Sequence, residues 1–202
     1  MLCERAVVSN GLTGHGLRNI IFSEGVFANP ALFEWCLSSG KGVMRVGVVS
    51  DTHVSRIDQL PRGLVDRLKE VDLIVHLGDY TGRELLDGLG RLGDFRGVAG
   101  NMDSPELRTV LPETEVLDVN GKRLGLIHGW GAPWGIQGKI RDRFEGVDAI
   151  LYGHTHMAKN ELVGGVLFFN PGSATGKFPA LQKTYGILVI DEYIQGEIIA
   201  IE

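Results

Sequence analysis

The sequence predicts an α/β fold of two stacked mixed β-sheets flanked by helices, and three observations predict it. After Met44, short continuous runs of Val, Ile and Leu alternate with segments whose apolar residues recur at helical spacing. That alternation marks βαβ units and parallel strands buried on both faces. In mid-chain, two alternating runs surround Asn120-Gly121, a dipeptide favoured in two-residue hairpin turns. The last third carries strand-like runs of antiparallel character.

Residues 1–43 differ from the rest of the chain. "GLTGHG" and "SSGKG" interrupt them, and the single helix-like piece is "NPALFEWCL", where Asn29 can cap and Pro30 can take the first helical position. They read as an extension ahead of a domain over 44–202. An over-long reading frame is the favoured origin, with Met44 the natural start, and a docking arm is the alternative. Cys3 and Cys36 both lie in this segment. Two cysteines make no disulfide framework, so free thiols are expected.

From Met44 the elements follow in order. "RVGVVS", "DLIVHLG" and "FRGVAG" read as buried strands, separated by the amphipathic helices "PRGLVDRLKEV" and "GRELLDGLGRL". "EVLDVNGKRLGLIHG" is the hairpin. A helical stretch around 136–145 leads to "DAILYGHTH", and "ELVGGVLFFN", "TYGILVIDE" and "GEIIAIE" complete the sheets. "GSATGK" (172–177) is one residue short of a P-loop and has Phe178 where Ser or Thr is needed; "GLTGHG" has no preceding strand. Both are turns.

The bulk numbers exclude several classes. With 202 residues, 44% hydrophobic and 22% charged, the chain is an ordinary globular protein with room for one sizeable core. A net charge of -5 offers no basic face for duplex nucleic acid. No run approaches the roughly 18 apolar residues that cross a bilayer. Glu4 and Arg5 follow the start at once, without the apolar stretch of a secretory signal. A cytoplasmic protein is expected.

Chemistry collects at the strand ends. "VVSDTH" carries Asp51 and His53, "VHLGDY" carries Asp79, "GVAGNMD" carries Asn101, "GLIHGW" carries His128, and "LYGHTH" carries His154 and His156. Singly, each has a plain reading: Asp51 as a turn cap, Asp79 in an Asx-turn, Asn101 in a left-handed turn, His128 as a hydrogen-bonded core histidine. Jointly they do not. Ligands of α/β folds gather beyond the carboxyl ends of the strands. Seven such residues at five strand ends suit a pair of metal ions: imidazole favours transition metals, and carboxylates add charge and can bridge. His76, on a strand expected to be buried, is given a structural role, and His15 none.

The motifs "DTH" (51–53), "GD" (78–79), "GNMD" (100–103), "HG" (128–129) and "GHTH" (153–156), with "NPGS" (170–173), resemble those of the calcineurin-like metallophosphoesterases, in particular the small YfcE-type phosphodiesterases. The resemblance covers about 44–202 and implies the family's four-layer sandwich. It implies two divalent ions, Mn first, with Ni, Co, Fe or Zn open. Asp51, His53 and His156 would hold one; Asn101, His128 and His154 the other; Asp79 would bridge, together with a hydroxide that attacks a phosphodiester. Asp79, Asn101, His128 and Asp103 are thus the expected catalytic set, with Asp103 orienting its neighbours alongside Thr52 and Thr155. Larger relatives carry "GNH" where this chain has Met102, so it lacks that proton source. Two other readings are a catalytically weak metal-binding scaffold, like the retromer subunit of this fold, and a nuclease working with partners. A phosphodiester is the expected partner; oligomeric state is left open, a homo-oligomer included.

Overall fold

The computed structural model describes residues 42–202. The expectations for the extension, its "NPALFEWCL" helix and the thiols of Cys3 and Cys36, lie outside these residues. In chain order the elements are β1 (Met44–Val49), α1 (Arg62–Leu68), β2 (Leu73–His76), α2 (Arg83–Gly90), β3 (Phe95–Gly97), α3 (Pro105–Val110), β4 (Thr114–Val119) and β5 (Lys122–Ile127). Next come α4 (Ile136–Arg141), β6 (Ala149–Tyr152), β7 (Lys159–Val163), β8 (Val166–Asn170), β9 (Thr184–Ile190) and β10 (Ile194–Ala200).

Two mixed five-stranded sheets form, ordered β10-β9-β1-β2-β3 and β4-β5-β6-β8-β7. The layering follows from the two-residue period of the strands, which sends alternate side chains to opposite faces. Val46, Val48, Leu73 and Val75 of the first sheet share one buried cluster with Leu124, Leu126, Leu151 and Phe169 of the second. The intervening residues face outward. Val49 and Ile74 join Leu64 and Leu68 of α1 and Leu85 and Leu89 of α2, while Ile150 and Phe168 join Ile136 and Ile140 of α4. Helix, sheet, sheet and helix are therefore four layers, as expected.

β1, β2 and β3 run parallel, as do β5, β6 and β8. The Asn120-Gly121 hairpin forms with both residues at positive φ, 58° and 81°, as its turn chemistry requires. Three details differ from expectation. "FRGVAG" is a three-residue edge strand with Arg96 exposed, because β3 pairs on one side only. The helix expected over 136–145 ends at Arg141, and Phe144 turns inward to fill the space over Gly125. The terminal third is not wholly antiparallel: β8 pairs antiparallel with β7 and parallel with β6. One helix was missed. α3 starts where Ser104 accepts a hydrogen bond from the Leu107 N–H and Pro105 takes the first position, a start signal present in "DSPE".

Candidate metal centre

The parallel strands of both sheets end on one side, and the turns after them meet there. The Asp51 N–H donates to the Gly78 carbonyl at 3.2 Å, His53 N–H to the Asp79 carbonyl at 2.9 Å, and Gly153 N–H to the His128 carbonyl at 3.1 Å. The approach is close enough to dictate glycine at two motif positions. A Cβ on Gly100 would lie 2.2 Å from Asp79 Oδ1, and one on Gly78, at φ +93°, would lie 2.7 Å from His128 Nδ1. Asp51, His53, Asp79, His154 and His156 all have φ between 48° and 68°. Left-handed backbone at non-glycine residues costs energy and collects at functional sites.

All seven predicted residues come together in two touching groups. In the first, Asp51, His53, Asp79 and His156 each offer a ligand atom within 4.8 Å of the others. His53 Nε2 lies 3.1 Å from His156 Nε2 and 3.6 Å from Asp79 Oδ2, and His156 Nε2 lies 3.2 Å from Asp51 Oδ1. In the second, Asn101 Oδ1 is 3.0 Å from both His128 Nε2 and His154 Nδ1. Asp79 joins them, with Oδ1 3.5 Å from His128 Nε2.

The outer ring nitrogens decide what the inner ones can do. His128 Nδ1 meets the Leu77 carbonyl at 2.6 Å, His154 Nε2 the Gly131 carbonyl at 2.8 Å, and His156 Nδ1 the Lys177 carbonyl at 2.9 Å. A carbonyl only accepts, so each of these nitrogens carries the proton, and in the neutral ring the inner nitrogen is a lone pair. Those lone pairs face the Asn101 and Asp79 oxygens and Asp51, and that of His156 also faces His53 Nε2. A flipped Asn101 amide would relieve the second group, but His156 Nε2 still faces Asp51 Oδ1 at 3.2 Å. Acceptors converging in this way suit a bound cation, most plainly in the group of Asp51, His53, Asp79 and His156. The mixed imidazole, carboxylate and amide donor set fits a divalent transition metal.

Electrostatics agree. Burial pushes the Asp51 carboxyl up, but the His156 hydrogen bond, the His128 charge and the Ser50 hydroxyl outweigh it and hold Asp51 below its ordinary value. Burial would lower His156; the hydrogen bond and charge of Asp51 outweigh it and raise it, so positive charge is favoured between the two. Burial keeps His53 below the ordinary imidazole range despite Asp79 and Asp51.

The surrounding residues position the ligands. Asp103, expected in the catalytic set, is a positioning residue: it is buried, and its oxygens accept from the backbone N–H groups of Asp79, Tyr80, Thr81 and Gly100. It thereby ties the Asp79 turn to the Asn101 turn. Asp103→Asn puts an amide N–H₂ or a neutral oxygen against these donors. Charged hydrogen bonds contribute about 1.5–3 kcal/mol each, so the melting temperature should fall by roughly 5–10 °C with loss of metal affinity, checked by thermal unfolding with and without Mn²⁺. Thr52 Oγ1 reaches the Asp79 carbonyl at 3.3 Å and His76 Nε2 at 3.1 Å. Thr155 touches no ligand side chain; Asn170 of "NPGS" donates to its hydroxyl at 3.1 Å. His76 has the structural role expected. It stacks on Tyr80 with ring centroids 3.8 Å apart, and burial drives its pKa down to about 3.

Sequence reading missed Ser50, whose hydroxyl donates to Asp51 Oδ2 at 2.6 Å; it stands directly before the first ligand. It also missed the three carbonyl anchors, which no residue type announces. A hollow lined by Arg56, Asp58, Glu84, Asp87 and Arg91 shares no residue with this centre.

Comparison with known proteins agrees with the geometry. A model of the calcineurin-like phosphoesterase superfamily domain matches residues 44–193. A "Probable metallophosphoesterase" of Methanocaldococcus jannaschii is 38% identical over 165 residues, 80% of this chain and 83% of that protein. A solution structure of a Thermotoga maritima protein is 34% identical with a TM-score of 0.62, covering 78% of this chain and 99% of that one. Wild-type Vps29 of Entamoeba histolytica, solved in complex with Zn²⁺, is 30% identical with a TM-score of 0.62, covering 78% and 99%. With the family domain matched over most of its length and the expected residues gathered at its strand ends, this chain belongs to the calcineurin-like phosphoesterase superfamily and is a metallophosphoesterase.

Proposed function

We propose that the protein hydrolyses phosphodiesters with two divalent metal ions held by the seven converging residues. The observation that carries this is the pair of acceptor-lined groups sharing Asp79. Asp51, His53 and His156 would hold one ion, Asn101, His128 and His154 the other, and Asp79 both, one oxygen toward each group. Ions held there would supply charge to neutralise a phosphate oxygen and a water acidic enough to serve as the nucleophile. Mn²⁺ is the first choice; the donor set also suits Ni, Co, Fe and Zn, and the Zn²⁺-complexed Vps29 shows a relative of this fold with that ion.

The chain's own residues hold and orient. The carbonyls of Leu77, Gly131 and Lys177 fix three imidazoles with their lone pairs inward, and Asp103 locks the two turns between which Asp79 and Asn101 project. The Met102 N–H donates to Asp79 Oδ1 at 2.8 Å, while its thioether is exposed and bears no proton to give. The test is a panel of mono- and diesters, bis(p-nitrophenyl) phosphate among them, after Mn²⁺ reconstitution. Diester hydrolysis should be lost on chelation and restored by metal. The likeness to Vps29 favours a second reading, a metal-binding scaffold; metal uptake with no hydrolysis of any ester would support that instead.

On the same reading the working domain is 44–202, since β1 begins at Met44 and all seven residues of the centre follow it. A chain of 44–202 should fold, take up metal and keep its rate within about twofold. An insoluble or inactive 44–202 chain would show that residues 1–43 complete the domain.

A further inference from the structure

A cleft of about 360 Å³ opens beside the second metal group, with Asn101 and His128 in its wall. A group that fills it therefore lies next to two of the seven residues of the centre. The rest of the wall is unlike the centre. It holds Trp130, 42% exposed, together with Arg108, Arg143 and Glu113. The Arg143 guanidinium lies over the Trp130 ring, 5.7 Å from its centroid, and 3.7 Å from Glu113. Arg108 is hooked to the Asn101 carbonyl, so one wall residue is fixed to a predicted ligand of the second ion.

We propose that Trp130 and Arg143 form a subsite for the ester group of the substrate, and that this group carries a planar aromatic ring, as a nucleoside or aryl ester does. This rests on the phosphodiesterase reading and extends it to the substrate. A part-exposed indole with a guanidinium 5.7 Å from its ring centroid presents a flat, polarisable surface, which attracts another π-face and offers little to a short alkyl chain. Two arginines against one glutamate give the cleft positive charge in a chain of net charge -5, which suits a ligand attached to an anionic phosphate. The volume suits one such group and not a polymer, at the small end of ligand pockets.

The test compares two diesters with the same leaving group, phenyl p-nitrophenyl phosphate and methyl p-nitrophenyl phosphate, on the Mn²⁺-loaded protein. The ratio of their kcat/KM values should favour phenyl in the wild type. It should fall about tenfold in Trp130→Leu and largely survive in Trp130→Phe, since stacking on an aromatic side chain typically gives a factor of this order or more. Metal content, measured for each variant, should stay at the wild-type value. A ratio unmoved by Trp130→Leu overturns the subsite, as does an equal loss on both esters. Calorimetry with methyl(phenyl)phosphinate and dimethylphosphinate, which have no P–O ester bond to cleave, separates this from the parent reading. If neither diester is hydrolysed, the phosphodiesterase reading fails; tighter binding of the phenyl compound, lost in Trp130→Leu, then still supports the aromatic subsite, and equal binding removes it.

Discussion

Asp79→Asn is expected to lower diester hydrolysis about a thousandfold or more and to leave the protein with fewer than two bound ions. Among the described residues Asp79 is the carboxylate that faces both groups, with Oδ2 3.6 Å from His53 Nε2 and Oδ1 3.5 Å from His128 Nε2. Asparagine keeps the shape and can still accept the Met102 N–H through its oxygen, so folding should survive. It lacks the charge that balances two cations and presents an N–H₂ to one of them. Losing several kcal/mol of transition-state charge stabilisation corresponds to this rate, at about 1.4 kcal/mol for each factor of ten. His76→Gln is the control. It removes the stack on Tyr80 and the bond to Thr52 and should cost stability more than turnover. Two ions per chain and a near-normal rate in Asp79→Asn would show that Asp79 bridges nothing.

The second large effect is a steep dependence on the leaving group. With Met102 the chain has no side-chain acid at that position, and positioned acid catalysis is typically worth about 10²–10⁴-fold. Aryl diesters with acidic phenols depart unaided as phenolates; alkyl diesters must leave as strongly basic alkoxides and should be slower by at least that factor. Across diesters whose leaving-group pKa spans several units, the slope of log kcat/KM should be steep in the wild type. Met102→His should flatten it, gaining chiefly on the poor leaving groups. Met102 is 59% exposed, so the substitution has room, and metal analysis will show whether the new imidazole captures an ion. Equal slopes at equal metal content would move the proton source elsewhere.

Much of this architecture was legible in the residues, for reasons that can be named. Buried parallel strands announce themselves as unbroken Val, Ile and Leu runs, and β1 and β2 are buried throughout or nearly so. β3 was legible as a strand but not in its shortness or exposure, because an edge strand beside a turn-rich segment carries the same apolar letters over fewer paired residues. The seven clustered residues were legible as a set because they stand directly after strands, one residue apart or next to a glycine. The glycines have a second meaning, visible only in space: at Gly78 and Gly100 there is no volume for a side chain where the turns cross. Asp103 is expected in the catalytic set as the residue that orients its neighbours, and in the fold its oxygens accept from the backbone amides of both turns. The carbonyls that fix the imidazoles, and the Trp130 cleft, depend on loop paths that no local pattern encodes.

The account stands on two ions sharing Asp79. Its most direct test is anomalous diffraction from crystals of the Mn²⁺-reconstituted protein, with metal content measured on the same preparation. The prediction is two peaks per chain, one enclosed by Asp51, His53 and His156, the other by Asn101, His128 and His154, with Asp79 between them. A single peak, or a second peak away from Asn101, His128 and His154, would contradict it.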